Sequence, residues 1–284
     1  MNRPSCLLAS ALTAGMLFST AACSNGGGDG SVSGPTDAPA SPATASTVPA
    51  SPVVEESGAA SPSPSASVRE LTKTEAQSAL ITNSDLGAQW EESKGVAAWN
   101  DALLKSKVDE ADFITDKANA KQCQKLLDGL HAENLLGKPQ GASAVTGFDD
   151  SDNDAQMRYE VASYGKSSLD AQLKWLSTLP DICDQFTAVN GTGDRQTVQV
   201  VSTVLPDVGD ARQGLRVTMS GELEGDPETL TLDFAAVQVG DSALSLTNGG
   251  LSGTEHQSTD QAVKAGTNRL TDVLAGKSPA PTQG

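Results

Sequence analysis

Leu230-Thr231-Leu232-Asp233-Phe234-Ala235-Ala236-Val237-Gln238-Val239-Gly240-Asp241-Ser242-Ala243-Leu244-Ser245-Leu246-Thr247 decides the fold of this chain. It reads as two strands, 230–239 and 243–247, and the short Gly240-Asp241 connection between them suits antiparallel neighbours. Upstream, 197–205 and 215–223 read as two more strands, with the short Pro206-Asp207-Val208-Gly209-Asp210 connection between them. Earlier still, 144–148 and 156–164 are strand candidates. In the second, Met157, Tyr159 and Val161 alternate with Gln156, Arg158 and Glu160, which predicts one buried and one wet sheet face.

Helical signals surround these strands. Thr72-Lys73-Thr74-Glu75 is a capping box ahead of Ala76, Leu80 and Ile81. Between 118 and 130, Cys123, Leu126, Leu127 and Leu130 fall at i, i+3, i+4 and i+7, so Cys123 is expected in the core. Ser167-Ser168-Leu169-Asp170 predicts a second capped helix carrying Leu169, Leu173, Trp175 and Leu176, broken or kinked by Pro180 just before Cys183. Ser258-Thr259-Asp260-Gln261 predicts a last one, carrying Val263, Leu270, Val273 and Leu274 and ended by Gly276 and Pro279. The fold class expected is α+β, a mostly antiparallel sheet of about five to six strands with helices packed on one face. Trp90 and Trp99 flank a less regular region, and 102–115 reads equally as helix or loop.

The first 68 residues are of another kind. Arg3 precedes an apolar run from Cys6 to Phe18 that is too short, and too interrupted by Ser10, Thr13 and Gly15, for a stable span of ~20 residues. Thr20-Ala21-Ala22-Cys23 then resembles a lipoprotein processing site, with small residues before the cysteine, although Thr20 stands where such boxes usually have Leu, Val or Ile. The resemblance implies removal of 1–22 and lipidation of Cys23, and two or more acyl chains suffice for stable membrane anchoring. The alternative is an ordinary signal cleaved near Ala22, which leaves a free secreted protein. From Ser24 to Ser67 the chain is mainly Ser, Pro, Ala, Gly and Thr, a composition that cannot bury enough apolar surface to fold. Such a tether spans roughly 35–40 Å if coiled and over ~100 Å if extended. The organisation expected is therefore a signal peptide over 1–22, a lipidated, disordered linker over 23–68, an extracytoplasmic α+β domain over 69–277 and a disordered tail over 278–284.

Nineteen Lys and Arg against 36 Asp and Glu give a formal net charge of −17. So acidic a surface argues against nucleic acid and against electrostatic docking on anionic lipid, and leaves membrane contact to the acyl chains on Cys23. With Cys6 removed and Cys23 acylated, Cys123 and Cys183 remain in an oxidising compartment, where a disulfide is the expected state. The alternative is a pair of buried free thiols.

The order of Leu71-Thr72 with Glu75, Cys123 with Leu126-Leu127, Cys183 with Phe186, Leu205-Pro206 with Gly209-Asp210-Ala211, and Val237-Gln238-Val239-Gly240-Asp241 resembles the PknH-like extracellular sensor domain family of actinobacteria, in its lipid-anchored form. The resemblance covers most of 69–277 and implies a cleft used for sensing or binding, with Cys123 and Cys183 as one family disulfide. Kinase members have two disulfides, whereas one pair is available here. With no kinase domain or transmembrane helix attached, any signal is expected to need a partner protein.

Chemical motifs are weak by comparison. Ser163-Tyr164-Gly165-Lys166 has S-x-x-K spacing and Ser151-Asp152-Asn153 spells S-D-N, but the two stand in the wrong order and no K-T-G appears. Asp150, Asp152 and Asp154 have the spacing of the first EF-hand ligands, yet Ala155 replaces the turn glycine and Val161 the bidentate Glu. A solvated acidic loop including Asp149 is the plainer reading, a weak extracellular Ca²⁺ site the sharper one. His131 and His256 lie in no metal or catalytic motif, and His131, near a helix end, is expected to meet free carbonyls. Gly191-Thr192-Gly193 reads as a turn. No catalytic residue, metal or cofactor is expected, and the ligand-binding residues are not legible.

Three functions fit. The first is a membrane-anchored lipoprotein on the outer face whose sensor-like domain binds a small-molecule or envelope ligand, or a signalling partner, without catalysis. The others are an envelope enzyme with carboxylates assembled by the fold, and a wall-associated structural or adaptor protein.

Overall fold

The computed structural model describes residues 70–93, 109–153, 155–189, 193–223 and 225–279. The signal segment, Cys23, the linker, Trp99, Asp154, Gly191-Thr192, 102–108 and the last five residues lie outside them.

Strand β7, Asp226–Val239, is central because it pairs on both sides over most of its length, with β6 (Ala211–Leu223) and β8 (Ser242–Gly250). The other strands are β1 (Trp90–Glu92), β2 (Ser143–Asp150), β3 (Ala155–Ser163), β4 (Gln185–Val189) and β5 (Arg195–Thr203). All eight form one antiparallel sheet in the order β1-β2-β3-β8-β7-β6-β5-β4. Five consecutive strands, β4 to β8, run as a meander, and the β3–β8 pairing closes it onto the earlier strands.

Among the described residues the sheet thus has eight strands rather than five to six. The two that the sequence did not reveal, β1 and β4, are its two edges, three and five residues long. Edge strands are kept short or covered because an open edge invites pairing with other chains. At β4 the covering is visible: Phe113 bridges Ala188, its ring stacks on Phe186 with centroids 5.0 Å apart, and the Ile114 amide donates to the Thr187 carbonyl at 2.8 Å.

A second correction concerns the layers, since helices cover both faces of the sheet. The helices are α1 (Lys73–Ser78), α2 (Asn83–Leu86), α3 (Ala120–His131), α4 (Lys166–Ile182) and α5 (His256–Leu274). Cys123, Leu126 and Leu127 of α3 and Leu169, Leu176 and Leu179 of α4 share a core with Leu230, Leu232, Phe234 and Ala236 of β7. The opposite face of β7, Ala235 and Val237, joins Tyr159, Leu244, Ala262, Val263 and Leu270 beneath α5, α1 and α2. This two-sided cover explains why the wet face expected for β3 is wet only at its start: Gln156 is exposed and Arg158 half-buried, but Glu160 and Ala162 are buried along with Met157, Tyr159 and Val161.

The helix starts follow local chemistry only in part. At α1 the capping box forms, with the Glu75 amide donating to Thr72 Oγ1 at 3.3 Å and the Thr72 amide to Glu75 Oε2 at 2.9 Å. Helix α4 begins one residue before Ser167, after Gly165 at φ 83°, and its Lys166 amide donates to Asp241 Oδ1 at 3.2 Å. The cap there comes from the β7–β8 turn. Pro180 does not end α4, which runs on to Ile182, because so near the C-terminus it removes little of the hydrogen-bond ladder. Helix α5 starts at His256, which places Ser258 and Thr259 inside the helix and buries both. It ends as expected, with Gly276 at φ 75°. Its Gly266 lies so close to β3 that a Cβ there would collide with the Tyr159 hydroxyl.

Candidate functional site

The apolar stripe of α3 turns Cys123, Leu126, Leu127 and Leu130 to the sheet, and the geometry of a helix then puts Lys121, Lys125 and Asp128 on an outward stripe. Helix α4 runs beside it and contributes Gln172 and Trp175. The disulfide Cys123–Cys183, with Cα atoms 5.6 Å apart, ties the first turn of α3 to the residue that caps α4. Between the two helices lies a groove of about 490 Å³. It falls within the ~300–1,000 Å³ typical of small-ligand sites.

Trp175 organises this groove. Its indole Nε1–H donates to Gln122 Oε1 at 2.9 Å, which fixes the ring plane. The Lys125 ammonium sits 3.6 Å from the ring centroid and donates to Gln172 Oε1 at 3.4 Å. Burial of that ammonium against the indole holds Lys125 below the ordinary lysine range. Gln124 and Asn134 add two further carboxamides, Leu135 an apolar patch, and Glu110 a carboxylate at the rim.

A second polar cluster lies on the α5 face. Asp233 is fully buried and accepts from Arg216 Nε at 2.7 Å and Nη2 at 3.0 Å. Register explains the pair, since Val201, Arg216, Asp233 and Asn248 are successive cross-strand neighbours. His256 Nδ1 lies 2.8 Å from Asp233 Oδ2, and its Nε2 lies 3.0 Å from the Val204 carbonyl. Both partners only accept, so the two contacts together favour the ring protonated on both nitrogens. Burial by itself would lower the His256 pKa, but the hydrogen bonds to Asp233 and Val204 and the charges of Asp233 and Asp260 outweigh it and raise it. When both nitrogens donate, neither has a lone pair for general-base work. The cluster is a structural clasp that joins α5 to β7 and to the end of β5.

The residues singled out from sequence fall apart or serve local structure. Ser163 ends β3 with its Oγ 3.3 Å from Ser242 Oγ, while Lys166 pairs with Asp170 at 3.1 Å, so they form no nucleophile–base unit. Asp150 is buried in the β2–β3 hairpin, and its carboxylate accepts from the Asp152 amide at 2.9 Å and Asn153 Nδ2 at 2.9 Å. His131 is the last residue of α3. The expected Cys123–Cys183 bond is present. Trp175 was legible only as part of a helix stripe. The signal that it faces the groove is one of three tryptophans standing next to polar residues on a helix that the disulfide draws to α3, and that neighbour is set by tertiary structure.

Fold and groove together define an α+β domain whose antiparallel sheet is covered on both faces and whose α3–α4 pair presents an open polar site. No protein-family model matches the chain, and no curated protein matches it. Among solved structures it is similar to the extracellular domain of PknH from Mycobacterium tuberculosis, at 10% identity and a TM-score of 0.41, over 74% of this chain and 100% of that one. No helix among the described residues is long and apolar enough to cross a membrane.

Proposed function

We propose that this chain is a lipid-anchored extracytoplasmic binding protein, held to the outer face of the cell membrane through Cys23 and receiving a ligand, without catalysis, in the groove between α3 and α4. The observation that carries the binding role is the groove itself, of about 490 Å³ and built around Trp175 beside a disulfide. The anchor rests on the sequence around Cys23 and on the linker behind it, and the occupied state is passed to a signalling partner.

Native mass spectrometry of the mature protein purified from its own host tests the binding role. A co-purified small molecule is expected on the wild-type chain and should be missing from Trp175→Ala. Identical ligand-free masses for both would overturn the reading. Detergent phase partitioning tests the anchor: the wild type should enter the detergent phase and Cys23→Ala the aqueous phase, since 24–67 offers no apolar span to replace acyl chains.

A further inference from the structure

Resting on the groove reading above, we propose that the ligand is a neutral saccharide, one ring of which stacks on the Trp175 indole in the place that the Lys125 ammonium occupies. The chemistry of the lining selects this class. Gln122, Gln124, Asn134 and Gln172 bring four carboxamides to one small site. A carboxamide both donates and accepts, which is what neighbouring sugar hydroxyls require and what a purely anionic or purely apolar ligand leaves unused. The indole supplies a flat apolar face for the C–H side of the ring, held in orientation by its bond to Gln122.

Other ligand classes fit less well. Lys121 and Lys125 are balanced within the groove by Asp128 and Glu110, and the whole chain carries −17, so the site has no excess positive charge to hold a phosphate or carboxylate. An acyl chain would strip water from the carboxamides without replacing their hydrogen bonds, which is costly. A metal ion finds no group of three or more His, Cys, Asp or Glu among the described residues.

Lys125 gives the proposal a distinctive signature. Its ammonium lies on the ring face that the sugar needs, on a flexible stem, and its contact with Gln172 is long at 3.4 Å. Stacking a sugar therefore displaces Lys125 and frees Gln172 Oε1 to accept from a hydroxyl. Removing Lys125 favours a stacked sugar, whereas it weakens any ligand held by charge.

The test is saturation-transfer NMR and calorimetric titration of the full-length, detergent-solubilised chain. The probes are cellohexaose, maltohexaose and hexa-N-acetylchitohexaose, with decanoate, spermidine and inorganic phosphate as comparison ligands. At least one hexasaccharide should bind, with transfer concentrated on the C–H protons of one ring face. Affinity should fall at least tenfold in Trp175→Ala, fall severalfold in Gln172→Ala, and stay equal or rise in Lys125→Ala. Gln172 and Lys125 are surface side chains whose removal leaves the core intact, so the outcome does not depend on how Trp175→Ala folds. If no hexasaccharide binds while a comparison ligand or a co-purified molecule of another class depends on Trp175, the saccharide assignment falls and the groove reading stands. If no ligand of any class depends on Trp175, both fall. Loss of saccharide binding in Lys125→Ala would overturn the displacement of Lys125.

Discussion

The two helical covers of this sheet solve the same packing problem in opposite ways. On one face, α3 and α4 are joined by the Cys123–Cys183 bond and leave a groove of about 490 Å³ between them. On the other, α5 sits tightly enough for Gly266 to touch Tyr159, and Asp233 is sealed among Arg216, His256 and Thr259. A covalent tie holds two helices together without their facing surfaces having to interdigitate, so polar side chains can stand open to solvent there. Where no such tie exists, close packing and a satisfied buried charge hold the helix. The binding face is thus expected on the disulfide side.

The strongest test of that contrast is to remove the tie. Cys123→Ser with Cys183→Ser opens a loop of sequence separation 60, and on the chain-entropy model should lower stability by about 4 kcal/mol, read by chemical denaturation. Trp175-dependent binding should weaken as well, because the groove walls lose their spacing. Alkylation without reductant should label neither cysteine in the wild-type chain.

On the opposite face, Gly266→Ala places a methyl group against the Tyr159 hydroxyl and should cost about 1–3 kcal/mol, with groove binding unchanged. Equal damage to binding from this variant would dissolve the distinction between the faces. The double variant Gly266→Ala with Tyr159→Phe, which removes the colliding oxygen, should recover part of the loss.

Asp233→Ala leaves Arg216 and His256 without their shared counter-ion. Both are about one-third exposed, so the expected cost of about 2 kcal/mol sits below that of breaking a fully buried pair. Asp233→Asn keeps the shape and isolates the charge.

The smallest effect is a pH dependence. His256 has its pKa raised in the folded chain above the ordinary 6.5, so the protonated ring is favoured by folding. Its contribution is complete below about pH 6.5 and is lost as pH rises through the raised value. Denaturation midpoints measured from pH 6 to 9 should decline over that window in the wild type. The decline should flatten in His256→Gln and in Asp233→Asn, while the Cys123→Ser, Cys183→Ser variant keeps it.

Much of the architecture was written in local pattern. The capping box at Thr72, the Cys123, Leu126, Leu127 and Leu130 stripe, the meander around Gly240-Asp241 and the stop at Gly276 all appear where the sequence places them, because each depends on residues within a turn or two of one another. Edge strands β1 and β4 were not legible, since a strand of three or five residues carries too few alternations to stand out. Nor was the two-sided cover. Glu160 reads as solvent-facing until Arg158 pairs with it in the folded sheet, and Thr259 reads as part of a cap until its hydroxyl donates to Asp233 from inside α5.

By itself the sequence determined an α+β chain with an antiparallel meander, a cysteine pair suited to bonding and a strongly acidic balance of charge, because periodicity, cysteine count and net charge are properties of residue order and composition. Only the tertiary structure decided where the groove lies. Gln122 on α3 and Trp175 on α4 are 53 residues apart, and they meet because the strands between them fold back and the disulfide draws the two helices side by side. The same holds for His256 and Asp233, whose proton-sharing contact is made by the docking of α5 on β7 and by nothing in the sequence near either residue.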